Sequence, residues 1–116
     1  GPTNIYLRRL IHILKKEGRK NNANIWIYVA ELLSKPTRKR IEVNLGKLQK
    51  YTKDGDTVVI PGKLLASGIF NRKITIATWK YSESAKEKAE KAGSKIISIE
   101  ELLKANPKGS NVKIII

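Results

Sequence analysis

Two runs of β-branched residues stand at the centre of this chain, in the stretch KDGDTVVIPGKLLASGIFNRKITIATW (Lys53–Trp79). Thr57–Ile60 and Lys73–Trp79 each have the composition of a buried strand. The segment Pro61–Lys73 between them contains two glycines that flank a lysine and a short apolar run, which is typical of a loop. The KDGD before the first run predicts a turn. This stretch therefore predicts two strands joined by a long loop.

The residues that follow predict two helices and two more strands. Ser82 is a suitable N-cap and Gly93 a suitable residue after the last turn of a helix with alanines on one face. KIIS predicts a short strand, and Ser98 with Glu101 matches the S-x-x-E capping pattern of a further helix. The closing segment Val112–Ile116 predicts a strand. The second half is thus β-loop-β-α-β-α-β, an α/β layer.

Two helices are predicted before this layer. The first covers Asn4–Gly18, where apolar residues recur at helical spacing. Its apolar stripe consists of Leu7, Leu10, Ile11 and Leu14. The second covers Ala23–Lys35 and stops before a proline. On it, Ile27 falls toward the side where solvent is expected, and with Tyr28 it forms a candidate contact for a protein partner.

Length and composition indicate a folded protein of one domain. A chain of 116 residues suits a single domain, which we divide into a basic helical extension (residues 1–40) and an α/β core (residues 41–116). The absence of cysteine excludes disulfides and cysteine-ligated metals. No run approaches the roughly 18 apolar residues of a membrane span, and no apolar signal segment is seen. We therefore expect a soluble, intracellular protein without a membrane partner.

Net charge is the strongest compositional signal. The 24 Lys and Arg residues exceed the 10 Asp and Glu residues, which leaves +14. A small domain needs a net charge of only about 2–8 for solubility. A lysine-rich thermophile surface is the alternative, but such surfaces add Glu together with Lys. The excess therefore favours nucleic acid as the partner.

Candidate nucleic-acid contacts follow from where the basic residues fall. Six lie on the first helix or directly after it, away from its apolar stripe, and others lie in the loop after Pro36, on a short helix capped by Asn44, and at the end of the Pro61–Lys73 loop. These residues are Arg8, Arg9, Lys15, Lys16, Arg19, Lys20, Arg38, Lys39, Arg40, Lys47, Lys50, Arg72 and Lys73. An ordinary solvated surface is the competing interpretation, although such helix faces usually mix signs.

No motif for catalysis is found. A phosphate-binding P-loop needs G-x-x-x-x-G-K-[ST], whereas here Lys63 follows the first glycine and Ile69 follows the second. His12 is the single histidine, which excludes a histidine-based metal triad. We expect no enzymatic activity, no metal, no cofactor and no small-molecule substrate.

Several linked segments resemble one protein family. They are RIEVNLGKLQKYTKDGDTVVIPGKLLASG, KITIA, YSESAKEKAEKAGSKIISIEEL and NPKGSNVKI, with LRRLIHILKKEGRKNNANIW near the start. Over nearly the whole chain the sequence strongly resembles ribosomal protein L-eighteen-e of the archaeal and eukaryotic large subunit. The α/β part of that family is similar to the C-terminal part of bacterial ribosomal protein L-fifteen. The resemblance implies an α/β fold of irregular β-β-α superhelical layers.

The resemblance also implies a function. It implies a structural protein of the large subunit, monomeric within the cytoplasmic ribosome, which binds large-subunit rRNA and touches neighbouring ribosomal proteins. It further implies that Gly62 and Gly68 shape a tight connection and that Lys63 meets a backbone phosphate. The absence of cysteine and methionine, with many lysines and isoleucines, indicates a thermophilic archaeal source. A thermophile chromatin-type protein that coats duplex DNA remains the alternative, because the same electrostatics serve both.

Overall fold

The computed structural model describes residues 4–116, apart from the side chains of residues 37 and 38. In chain order the elements are α1 (Ile5–Lys20), α2 (Asn24–Ser34), a 3-10 helix (Pro36–Arg40), β1 (Glu42–Asn44), α3 (Leu45–Tyr51), β2 (Thr57–Leu65), β3 (Thr75–Tyr81), α4 (Glu83–Lys91), β4 (Lys95–Ile97), α5 (Ile99–Ala105) and β5 (Val112–Ile114). The strands of the described chain form a single parallel sheet. Strand β2 is central: β3 and then β4 follow on one edge, and β1 and β5 share the other edge.

Helices cover both faces of this sheet. Along β2 the side chains alternate, so that Val59 packs with α1, α2 and α5, whereas Val58 and Ile60 pack with α3 and α4. On β3, Ala77 and Ile76 divide between the two faces in the same way. Parallel sheets are usually buried on both faces. The molecule therefore has three layers, and the predicted α/β class is confirmed.

The first two helices form part of the layer on one face of the sheet. The predicted apolar stripe of α1 is buried, and Leu14 has no exposed surface. Trp26 of α2 is fully buried in the same core, and its indole N–H donates to the carbonyl of Pro107 at 3.0 Å. The described part of residues 1–40 thus packs on the sheet. The single domain and its division at residue 40 stay predictions.

Side-chain caps mark where α1, α3, α4 and α5 begin, whereas α2 begins without a side-chain cap hydrogen bond. The side chain of Asn4 accepts from the backbone N–H groups of Tyr6 and Leu7 at 2.9 and 3.2 Å. Asn44 caps α3 through the N–H of Lys47 at 2.8 Å, as predicted. The predicted N-cap Ser82 and the predicted Ser98–Glu101 capping box are both present. These caps satisfy N–H groups that the first turn of a helix leaves without a partner.

The predicted loop Pro61–Lys73 is wrong over its first part, because β2 continues through Leu65. Proline interrupts a regular ladder, and here the pairing of β2 with β3 shifts register between Ile60 and Lys63. Gly62 permits close approach of the neighbouring chain, because a Cβ at this position would lie 2.2 Å from the carbonyl oxygen of Ile41. The irregularity therefore absorbs the proline without ending the strand.

Two other expectations are corrected. The segment predicted as a basic loop after Pro36 contains the 3-10 helix and β1. Ile27 was expected on the solvent side of α2, but it is half-buried, and a Cβ at Gly18 of α1 would lie 2.8 Å from its Cγ1. The glycine lets the two helices approach closely, so Ile27 packs between them. Tyr28 is 44% exposed.

Candidate nucleic-acid interface

Lys63 and Lys80 stand side by side at the carboxyl ends of the two central strands. Lys63 on β2 is the register partner of Lys80 on β3, and both residues are exposed. Neither lysine forms an ion pair with a described residue. Like charges directly opposite each other on neighbouring strands repel. The pair therefore favours an anion that would bind both lysines.

The backbone beneath this lysine pair is fixed by a buried threonine. The hydroxyl of Thr78, which is 4% exposed, lies 3.1 Å from the carbonyl of Gly62 and 2.8 Å from that of Lys80. On the other edge of β2, the N–H of Lys63 donates to the carbonyl of Ile41 at 2.9 Å. The Thr78 hydroxyl proton, shared between the two carbonyls, and the Lys63–Ile41 bond hold the irregular part of β2 in place. The two lysines consequently rise from a defined backbone.

The lysine pair lies in a groove of about 420 Å³, which we call the lysine groove. Its apolar walls come from Leu7, Ile41 and Trp79, and its charged groups come from Lys39, Glu42, Lys63 and Lys80, with Asn4 and Gly62 completing the lining. Three lysines against one glutamate leave a local charge of +2. The groove brings together Lys39 and Lys63, two predicted contacts from distant parts of the sequence.

The solvent side of α1 forms a second basic surface. Arg8, Lys16, Arg19 and Lys20 are exposed and form no ion pair with a described residue, whereas Lys15 is half-buried. No acidic residue occupies the first turn of the helix. We call the surface formed by Arg8, His12, Lys15, Lys16, Arg19 and Lys20 the α1 basic face. It offers four unpaired cationic groups to a polyanion.

Arg9, on the same helix, is held by an acidic partner. Its guanidinium contacts the two carboxylate oxygens of Glu100 at 2.8 and 3.4 Å, and Lys104 contacts the same carboxylate at 3.1 Å. The hydrogen bonds from Arg9 and Lys104 hold the pKa of Glu100 below its ordinary value of 4.5. The predicted contact Arg9 is therefore also an ion-pair partner that links α1 to α5.

Two other predicted contacts are engaged with the protein's own backbone. Arg72 is half-buried, and its Nη2 donates to the carbonyl of Gln49 at 3.0 Å. Its Nε is enclosed without a partner among the described atoms. Lys47 is half-buried, and its ammonium group donates to the carbonyl of Ile116. The geometry gives both residues a structural role.

The remaining predicted contacts are distributed over the surface. Lys39, Arg40, Lys50 and Lys73 are exposed, and the side chain of Arg38 lies outside the described residues. Lys88 was not among the predictions. It donates to the carbonyls of Ala66 and Gly68 and so joins α4 to the segment between β2 and β3 (residues 66–74), which we call the glycine loop.

Comparison with known proteins decides the family. The family model described as "Ribosomal protein 60S L18 and 50S L18e" matches residues 2–116. The chain belongs to the L18/L18e family of ribosomal proteins. The resemblance seen in the sequence segments is thereby confirmed, and so is the prediction that the chain is not an enzyme, because this is a family of ribosomal proteins.

Relatives in this family are similar over almost their full length. The large ribosomal subunit protein eL18 of Pyrobaculum aerophilum is 49% identical and covers 100% of this chain and 95% of its own. The eL18 of Methanopyrus kandleri is 45% identical over 99% of this chain and 94% of its own. That of Methanococcus maripaludis is 46% identical over 97% of this chain and 93% of its own. All three organisms are archaea, which agrees with the archaeal part of the predicted source, whereas its thermophilic part stays a prediction.

Sequence reasoning missed Lys80 in this L18/L18e chain. The residue stands alone between Trp79 and Tyr81, outside any basic run, so composition carries no signal for it. The strand register, which places it beside Lys63, is what reveals it. Within residues 4–116, no helix is long and apolar enough to cross a membrane, and no cluster of acidic or histidine side chains suits a metal ion.

Proposed function

We propose that this chain is a structural constituent of the large ribosomal subunit that binds large-subunit rRNA through the α1 basic face and the lysine groove. Family membership supports the ribosomal part, since its relatives are named as large ribosomal subunit proteins. The single observation that carries the RNA part is the absence of ion pairs, among the described residues, at the exposed cations of both surfaces. Uncompensated cations neutralise phosphates and release counterions.

In this role the protein acts as a monomer within the cytoplasmic ribosome. Phosphate contacts position a protein on RNA without reading its sequence, so the basic surfaces hold RNA segments in register. Tyr28, 44% exposed on α2, is our candidate for a contact with a neighbouring ribosomal protein. No cofactor or small-molecule substrate takes part.

The test compares RNA with DNA at matched salt. If both surfaces bind rRNA as proposed, folded large-subunit rRNA should bind more tightly than random duplex DNA of equal length. Filter binding over a range of salt concentrations measures both affinities. Equal affinities would favour the chromatin-type alternative. The salt slope alone cannot separate the two, because both partners release counterions.

A triple substitution on α1 tests the surface itself. Changing Arg8, Lys16 and Arg19 to Gln should flatten the slope of log K against log salt by about 0.7–0.9 per lost phosphate contact. Folding should survive, because all three side chains are exposed.

The matched control removes the same charge elsewhere. Lys91, Lys95 and Lys108 are exposed and form no ion pair with a described residue. Changing these three to Gln should alter the salt slope less than the α1 variant does. Equal slopes in the two variants would show that binding follows net charge and not the α1 basic face.

A further inference from the structure

The lysine groove combines apolar walls with a cationic rim. Binding of a phosphate backbone at the protein surface requires the cations but not the apolar walls. Trp79 is half-buried and lines the groove, and Leu7 and Ile41 complete the apolar wall. A volume of about 420 Å³ lies within the roughly 300–1,000 Å³ of pockets that enclose small molecules. A regular duplex would touch only the lysines at the rim and leave the apolar wall uncovered. The groove is thus shaped for more than a phosphate.

An unpaired nucleotide has the matching chemistry. Its base carries an apolar face, which stacks on aromatic side chains, and its phosphate carries the negative charge that lysines bind. The apolar wall and the Lys63–Lys80 pair belong to the lining of the same groove, at the carboxyl ends of β2 and β3. Glu42 lowers the local charge to +2. This modest charge suits one phosphate better than a run of several.

We propose that the lysine groove binds one unpaired nucleotide of the RNA, with the base against Trp79 and the phosphate between Lys63 and Lys80. The proposal rests on the rRNA-binding function above and specifies its partner: a bulge or loop from which a base is extruded. Gly62 is necessary to the site, because a Cβ there would lie 2.2 Å from the carbonyl of Ile41, which lines the same groove. Thr78 fixes the backbone from which both lysines rise.

Tryptophan fluorescence provides a direct readout of this groove. The chain has two tryptophans, and Trp26 is fully buried in the core between α2 and the sheet. Trp79 is the half-buried one. A base that stacks in the groove should therefore quench Trp79 and leave Trp26 unaffected, and Trp79→Leu should abolish the quenching.

The experiment uses two RNA hairpins that are identical except for a single unpaired 2-aminopurine in one stem. The full chain should bind the bulged hairpin about tenfold more tightly, since stacking of one base on an aromatic side chain has an effect of this order. Binding should quench both Trp79 and the 2-aminopurine. Trp79→Leu should remove the preference while both hairpins still bind.

The lysine variants test the phosphate position without disturbing the core. Lys63→Gln and Lys80→Gln should each lower the preference for the bulged hairpin, because both residues are exposed and can be replaced without unfolding. Lys95→Gln is the matched control: it removes an exposed strand lysine at the other end of the sheet, where Lys95 pairs with Thr75. It should leave the preference unchanged.

The outcomes separate this proposal from the broader function. Equal affinity for the two hairpins, with unquenched Trp79, would overturn the nucleotide site even if large-subunit rRNA binds with the expected salt dependence. A protein that binds neither hairpin and shows no preference for rRNA over DNA would overturn both proposals. A preference that survives Trp79→Leu, Lys63→Gln and Lys80→Gln would place the nucleotide elsewhere.

Discussion

Gly68 occupies a backbone conformation and a space that both exclude a side chain. Its φ is +96°, and a Cβ would lie 2.5 Å from the Cα of Gly46, at the start of α3. The N–H of Gly46 donates to the carbonyl of Ser67 at 2.9 Å, and Lys88 donates to the carbonyl of Gly68. The glycine loop is therefore packed against α3 and tied to α4. Sequence reasoning placed Gly68 in a tight connection through family resemblance, and the contact with α3 supplies a physical reason.

Substitution of Gly68 should be more destabilising than positive φ alone explains. We expect Gly68→Ala to lower the free energy of unfolding by about 2–5 kcal/mol, the sum of backbone strain and overpacking against Gly46. Gly55→Ala is the matched control, because Gly55 has φ +92° but no atom within 4 Å of its Cβ position. Gly55→Ala should lower the free energy of unfolding by only about 1–2 kcal/mol. Urea unfolding measures both, and equal losses would contradict the packing argument.

At the scale of elements, the carboxylate of Glu100 joins α1 to α5. Arg9 contacts it from α1 and Lys104 from one turn further along α5. Such exposed pairs contribute little, about 0.2–1 kcal/mol. The ion pair therefore adds slightly to the apolar packing of these helices, and it also reduces the freedom of Arg9 to meet RNA.

The Glu100 interaction should depend on pH in a defined direction. The hydrogen bonds from Arg9 and Lys104 lower the folded-state pKa of Glu100 from 4.5, so its stabilisation is present above that value and is lost as pH falls through the folded pKa. At neutral pH, Glu100→Gln should be less stable than the parent by about 0.2–1 kcal/mol, and the difference should vanish under acid conditions.

Thermal unfolding at several pH values measures this difference. Glu87→Gln is the control, since Glu87 is exposed on α4 and forms no ion pair with a described residue. It should show no comparable pH-dependent gap. A Glu100→Gln deficit that persists unchanged at low pH would show that the glutamate acts through packing and not through its charge.

At the scale of the whole molecule, one sheet serves two apolar cores. Val59 and Ala77 face the core that contains α1 and α2, and the alternate residues face the core with α3 and α4. Removal of the first two helices would expose one face of a parallel sheet, and such sheets are stable only when both faces are covered. The basic helices therefore combine a structural role with their surface charge.

A fragment of residues 41–116 should consequently fail to fold cooperatively. Loss of α1 and α2 uncovers Val59, Ala77 and the apolar face of α5. The fragment should therefore bind a hydrophobic dye and unfold without a sharp thermal transition. Circular dichroism melts of the fragment and the full chain measure this. A sharp transition in the fragment would support the description of residues 1–40 as an extension attached to a self-sufficient core.

The sequence by itself determined the α-helices, the buried strand segments, the family and the excess of positive charge, but not the 3-10 helix after Ser34. Some features depend on residues only a few positions apart and can therefore be predicted from the sequence. They are the apolar stripe Leu7–Leu14, the cap Asn44 and the Ser98–Glu101 capping box. The continuation of β2 through Pro61 could not be predicted in this way, because it depends on a register shift against a distant strand.

Only the tertiary structure decided which basic side chains are engaged by other groups of the protein and which lie next to one another. Arg9 and Arg72 looked like Arg8 in the sequence, but Glu100 and the carbonyl of Gln49 engage them from far along the chain. The strand register places Lys63 beside Lys80. Trp79 lines the same groove, in which Gly62 packs closely against Ile41. Charge is a property of each residue, whereas a binding site is a property of the distances that non-local packing sets between residues.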